Sequence, residues 1–98
     1  MKIKIHFLAK TELRESAHYY ENEYPGLGTQ FLEAVDIAID DIRQHPLAWP
    51  ELDFQVRAIQ IKRFGYRMFY QIDEDTAFIV AISHCSREPL YWIDRLES

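Results

Sequence analysis

The sequence predicts an α+β domain of order β-α-α-β-β-β-α, in which an antiparallel sheet packs against a helical hairpin and a short C-terminal helix closes the chain. Three observations carry this reading. The chain opens on strict apolar–polar alternation, two helix-period stripes then flank Pro25-Gly26-Leu27-Gly28, and three strand-length runs follow with short connections. A length of 98 residues serves one hydrophobic core and not two, so residues 1–98 are read as a single domain.

Ile3, Ile5 and Phe7 alternate with Lys2, Lys4 and His6, the period of a half-buried strand. Thr11 has the chemistry of a helix N-cap, and Leu13, Ala17, Tyr20 and Tyr24 then recur at helical spacing. Proline and glycine at 25–28 stop that helix and open a tight hairpin. The second helix is expected from about Thr29 to Gln44, with Phe31, Val35, Ala38 and Ile42 as its apolar stripe. Glu33, Asp36, Asp40 and Asp41 give it an acidic, water-facing side. His45-Pro46 ends it, and Leu47 to Phe54 reads as a loop across one edge. Strands are expected at about 56–63, 66–73 and 76–84. In the middle one, Tyr66, Met68, Tyr70 and Ile72 share one face while Arg67, Phe69 and Gln71 share the other. Phe78 to Ile82 is apolar on both faces, which makes the last strand central. Pro89 suits the first turn of a final helix, and Trp92 and Leu96, four residues apart, pack it back on the sheet.

Composition narrows the function. The net charge of −5 opposes generic nucleic-acid binding, which depends on neutralising phosphates. The acidic excess is N-terminal, however: residues 1–56 hold 5 basic against 10 acidic side chains, and residues 57–98 hold 6 against 6. Arg57, Lys62, Arg63 and Arg67 fall within 57–72 with no acid among them, so a basic patch is possible on an acidic molecule. One cysteine, Cys85, allows no internal disulfide, and the N-terminus lacks the pattern of a signal peptide, so the chain is read as cytoplasmic. No stretch approaches the roughly 20 apolar residues of a membrane span. His6, His18, His45 and His84 show no zinc spacing and no glycine-rich phosphate loop occurs, so neither a metal nor a nucleotide cofactor is expected.

Chemistry concentrates in residues 57–98, where Arg57, Arg63, Tyr66, Arg67, Tyr70, Arg87, Trp92 and Arg95 recur among apolar residues. Guanidinium groups bind phosphates bidentately, and aromatic rings stack on bases or on protein partners. Two readings stay open for these residues: contact with a target, or an ordinary solvated sheet face with Tyr91 and Trp92 packing the last helix. His84 is a candidate general base, or a hydrogen-bonded residue at a strand end.

Taken in order, Tyr19-Tyr20, Pro25-Gly26-Leu27-Gly28, Phe31, His45-Pro46, Arg63-Phe64-x-Tyr66-x-x-x-Tyr70 and His84-x-x-Arg87-x-Pro89-x-Tyr91-Trp92-x-x-Arg95 resemble the RelE/ParE superfamily of bacterial type II toxin–antitoxin modules. Within it they look like the ParE-like branch, often labelled plasmid stabilisation proteins. The resemblance implies a toxin neutralised by a cognate antitoxin whose partly disordered segment folds on binding. Two targets follow from it: DNA gyrase, inhibited by binding, or ribosome-bound mRNA, cut by a metal-independent endoribonuclease. A non-toxic co-repressor that only pairs with its antitoxin is a third outcome. For cleavage, Arg67 and Arg87 align with the phosphate-binding arginines of RelE-like nucleases, with His84 as the candidate base and Tyr91 as an approximate counterpart of their terminal tyrosine. Ala58 and Gln60 stand where those nucleases carry lysines.

Overall fold

The computed structural model describes residues 1–97. In chain order these form β1 (Lys2–Ile5), α1 (Phe7–Glu23), α2 (Leu27–Gln44), β2 (Arg57–Ile61), β3 (Tyr66–Asp73) and β4 (Thr76–His84), with 3-10 turns at Asp53–Gln55 and Ile93–Glu97. The α+β class and the element order are those the sequence predicts. The sheet order is β1-β4-β3-β2.

The sheet is mixed rather than antiparallel throughout. Short connections fix antiparallel pairing only for β2, β3 and β4, whereas β1 is joined to its neighbour by no hairpin and lies parallel to β4, Lys2 opposite Thr76 and Ile5 opposite Ile79. Its four residues cover only the first part of β4. The register of β3 and β4 shifts between Phe69 and Tyr70, which pair with Ala81 and Ile79, so Val80 is an extra residue in β4. Val80 and Ala81 are thus buried together on one face, with Val56, Phe69 and Trp92. The other face, with Ile59, Ile61, Met68, Tyr70, Ile79 and Ile82, packs under Phe31, Val35, Ala38 and Ile42 of α2. The acidic side chains Glu33, Asp36 and Asp40 point to water.

The hairpin is closed by one carboxylate. Glu21 accepts the backbone N–H of Gly26 on Oε2 at 2.9 Å and that of Gly28 on Oε1 at 3.1 Å. Gly26 sits at φ 89°, which favours glycine. A Cβ on Gly28 would stand 2.5 Å from the carbonyl oxygen of Ala17, so only glycine permits this helix approach. Helix α2 therefore starts at Leu27, ahead of the expected Thr29.

Helix α1 starts at Phe7 instead of after Thr11, because His6 caps it: its Nδ1 accepts the backbone N–H of Leu8 at 3.1 Å. His6 is buried and stacks on Phe7. Burial, then the positive charge of Arg95, hold its pKa below the ordinary 6.5, with Glu12 opposing. The unfolded chain therefore takes up a proton near pH 6.5 that the folded chain resists. Stability is expected to be full above that pH and to fall as pH drops below it, until His6 protonates in the folded state as well. Urea midpoints at pH 7.5 and 5.5 check this, and His6→Asn, which keeps a capping acceptor, is expected to flatten the difference.

The C-terminal segment departs most from expectation. In place of a helix beginning at Pro89, residues 89–92 are turns, and Leu90 adopts φ 62°, a left-handed conformation that interrupts helical winding. The segment still packs on the sheet as foreseen: Trp92 is buried against Phe69 with ring centroids 5.5 Å apart.

Candidate functional site

Beyond Ile79, β4 has no strand on its outer side, and this open edge is covered by side chains from two distant segments. Glu12 of α1 accepts the N–H of Ile82 at 3.0 Å, and Arg95 donates to the carbonyl of Val80 at 3.0 Å. Arg95 and Glu12 also form a bidentate pair, Nη1 to Oε1 at 2.9 Å and Nη2 to Oε2 at 3.0 Å, while the Tyr91 hydroxyl donates to Glu12 Oε2 at 2.8 Å. Burial first, and the Glu12 carboxylate with it, push the Tyr91 phenol up to about 12. Burial opposes the charge of Arg95, but the hydrogen bond and charge of Glu12 outweigh it and raise its pKa. Glu12 is the residue that sequence reasoning passes over. It is one acid among several in the first helix, and no local pattern connects it to Arg95.

On the sheet face beneath the C-terminal segment, Arg67 and Arg87 line one cavity of about 180 Å³. Its floor and walls include Phe69, Ser83, Tyr91 and Trp92, and Leu52 and Asp53 of the 47–55 loop form the opposite rim. The alternation of β3 places Arg67 here, next to Phe69, with its guanidinium 5.0 Å from that ring. Arg67 Nε is buried and has no hydrogen-bond partner among the described residues. Arg87 lies 4.0 Å over the Tyr91 ring and pairs through Nε with its neighbour Glu88 at 3.2 Å. Gln60 stands opposite Arg67 and Ala58 opposite Phe69, so β2 adds no cation to this face.

The remaining singled-out residues lie elsewhere. His84 pairs with Tyr66 across the ladder and shares its face, not that of Arg67, with the two rings 5.5 Å apart. Its Nδ1 accepts the Ser86 N–H at 3.1 Å, and it opens into a separate depression beside Glu15 and Ser16, whose rim also includes Arg87. Tyr66 packs with Tyr20 and Phe31. Tyr70 is fully buried and donates to the Pro46 carbonyl at 2.8 Å. Arg57 donates to the Trp49 carbonyl at 2.6 Å and so anchors the 47–55 loop. Arg63 is exposed in the β2–β3 turn at φ 77°. Cys85 is an exposed free thiol. No group of His, Cys, Asp and Glu among the described residues is arranged to hold a metal ion, and no helix is long and apolar enough to cross a membrane.

A mixed sheet of this order under a helical hairpin is the fold of RelE-type and ParE-type toxins. The E. coli toxin RelE, as a mutant in the free state, superposes with TM-score 0.72 over 97% of this chain and 96% of its own, at 17% identity. A chain of the intact E. coli RelBE toxin–antitoxin complex gives 0.67 over 88% of this chain and 98% of its own, at 18% identity. The chromosomal ParDE system of P. aeruginosa gives 0.64 over 86% and 95%, at 16% identity. No curated protein matches the sequence. The profile of the family described as ParE toxin of type II toxin–antitoxin system, parDE, matches residues 3–89, and the chain belongs to that family. It is a toxin of the RelE/ParE superfamily.

Proposed function

We propose that this toxin arrests growth in the bacterial cytoplasm by binding DNA gyrase through the Arg67–Arg87 end of its sheet, and that a cognate antitoxin neutralises it. One observation supports binding over RNA cleavage: the two residues that the resemblance offers for proton transfer, Tyr91 and His84, are not placed to act between the two arginines. Metal-free cleavage needs a base for the 2′-hydroxyl and an acid for the leaving oxygen as well as cations for the phosphorane. Tyr91 lines the same cavity, but its hydroxyl donates to Glu12, and a pKa pushed up to about 12 leaves it protonated and so no base, and a weak acid. His84 faces the other side of the strand. The lysine positions of RelE-like nucleases hold Ala58 and Gln60.

Purified toxin is expected to inhibit supercoiling by gyrase and to leave mRNA on a programmed ribosome intact, and Arg67→Ala is expected to weaken the inhibition at least about ten-fold, the scale of a lost charge-assisted contact. Cut mRNA without an effect on gyrase would replace this reading by the nuclease. No effect in either assay would leave the co-repressor.

A further inference from the structure

The cavity between the 47–55 loop and the C-terminal segment has four properties that the fold does not require. It holds a buried guanidinium nitrogen, Arg67 Nε, without a partner among the described residues, and such groups are rare in native structures because each is destabilising. Arg67 joins no ion pair among the described residues, whereas Arg87 is matched by Glu88. Both rims contain backbone in left-handed conformations without glycine: Leu90 at φ 62° on one side, and Phe54 at 61° and Gln55 at 62°, directly after Leu52 and Asp53, on the other. Strain of this kind concentrates at binding sites. Last, the loop leaves Leu52 43% and Phe54 55% exposed beside the opening.

From these we infer that the cavity is a receptor for a single carboxylate side chain of an acidic, apolar polypeptide segment, with Arg67 taking the carboxylate and Leu52 and Phe54 taking the adjoining apolar residue. This rests on the reading that the arginine end meets a protein. Charge decides against a nucleic-acid strand. The lining carries Arg67 and Arg87 but also Asp53 and Glu88, so its formal charge is zero. The facing strand contributes neutral Ala58 and Gln60, and the whole chain carries −5. A polyanion needs several phosphates neutralised together, whereas one carboxylate needs one unmatched fork. The cavity supplies that fork and an apolar shelf next to it.

Titration followed at the arginine Nε–H resonances tests the inference, with acetyl-Phe-Glu-Leu-amide, its glutamine counterpart, inorganic phosphate and a single-stranded tetranucleotide as probes. The glutamate peptide is expected to shift the Arg67 signal and to bind about ten-fold more tightly than the glutamine peptide. Arg67→Gln is expected to erase that ratio, and Leu52→Ser to weaken both peptides while preserving it. Equal binding of the two peptides, no shift at millimolar peptide, or tighter binding of phosphate or the tetranucleotide each overturns the carboxylate site. Supercoiling measured on the same preparation separates the two readings. Peptide discrimination without gyrase inhibition keeps this site and removes gyrase, and inhibition without discrimination does the reverse.

Discussion

Glu12→Ala is expected to destabilise the fold by about 3–5 kcal/mol, the effect of removing one partner from a buried ion pair. Glu12 and Arg95 side chains are 17% and 12% exposed, so water cannot take over their partners cheaply. The carboxylate receives four donors: two from Arg95, the Tyr91 hydroxyl and the Ile82 N–H. Alanine leaves a guanidinium, a phenol and a backbone N–H to find new partners together. A domain of this size has about 5–15 kcal/mol in total, and each kcal/mol moves its melting temperature by about 4–8 °C. A fall of at least about 12 °C in a scanning calorimeter is therefore expected. Glu12→Gln, which keeps acceptors but removes the charge, should fall between. The double variant Glu12→Leu/Arg95→Met should recover much of the loss, since no unpaired charge is then buried. A Glu12→Ala variant within about 1 kcal/mol of the parent in urea unfolding would show that the clasp contributes little.

The clasp also marks the boundary of what the sequence makes legible. Periodicity is local, and whatever depends on it can be read: the helical hairpin, the strand lengths of β3 and β4, the opposite facing of Arg67 and Met68, and the burial of Trp92. The parallel pairing of β1 with β4 joins segments more than 70 residues apart with no turn to fix their direction. Glu12 and Arg95 lie 83 residues apart and carry no pattern beyond a charge each. The start of α1 is displaced because a histidine acts as its cap, a role that residue-type preference gives to Thr11. The C-terminal helix starts only at Ile93, as a 3-10 helix, because Leu90 takes a left-handed conformation that no apolar spacing announces.

The candidate site divides in the same way. Arg67 and Arg87 stand out in the sequence by their chemistry and by resemblance, and they line one cavity. Arg57 and Arg95 have the same chemistry in the sequence, and Tyr70 stands out beside them, yet the polar atoms of all three are engaged by the carbonyls of Trp49, Val80 and Pro46. A strand arginine that anchors a loop and one that faces a cavity differ only in what the rest of the chain places over them. That information is tertiary.

Phe31→Ala is expected to have a comparable effect for a different reason. Phe31 is fully buried on the inner face of α2, and its ring centroid lies 5.2 Å from those of Tyr20, Phe64 and Tyr66. Truncation to alanine opens a cavity that three rings on separate elements cannot all collapse to fill, which typically destabilises by about 3–5 kcal/mol. The edge-to-face contacts with Phe64 and Tyr66 add to the loss. Tyr66 immediately precedes Arg67 on β3, so the same change should loosen the backbone that aims Arg67 into its cavity. Urea unfolding should show the stability loss, and the Arg67 Nε–H resonance should broaden or shift in Phe31→Ala even under conditions where the protein remains folded. Phe31→Leu, which fills most of the space, should lose less and leave that resonance in place. Phe31 and Glu12 share no partner: Phe31 packs on the rings of Tyr20, Phe64 and Tyr66, and Glu12 holds the polar clasp at the β4 edge. Their effects should add. The sum, about 6–10 kcal/mol, reaches the total stability of a typical domain, so the double variant is expected to be unfolded at 25 °C while each single variant folds.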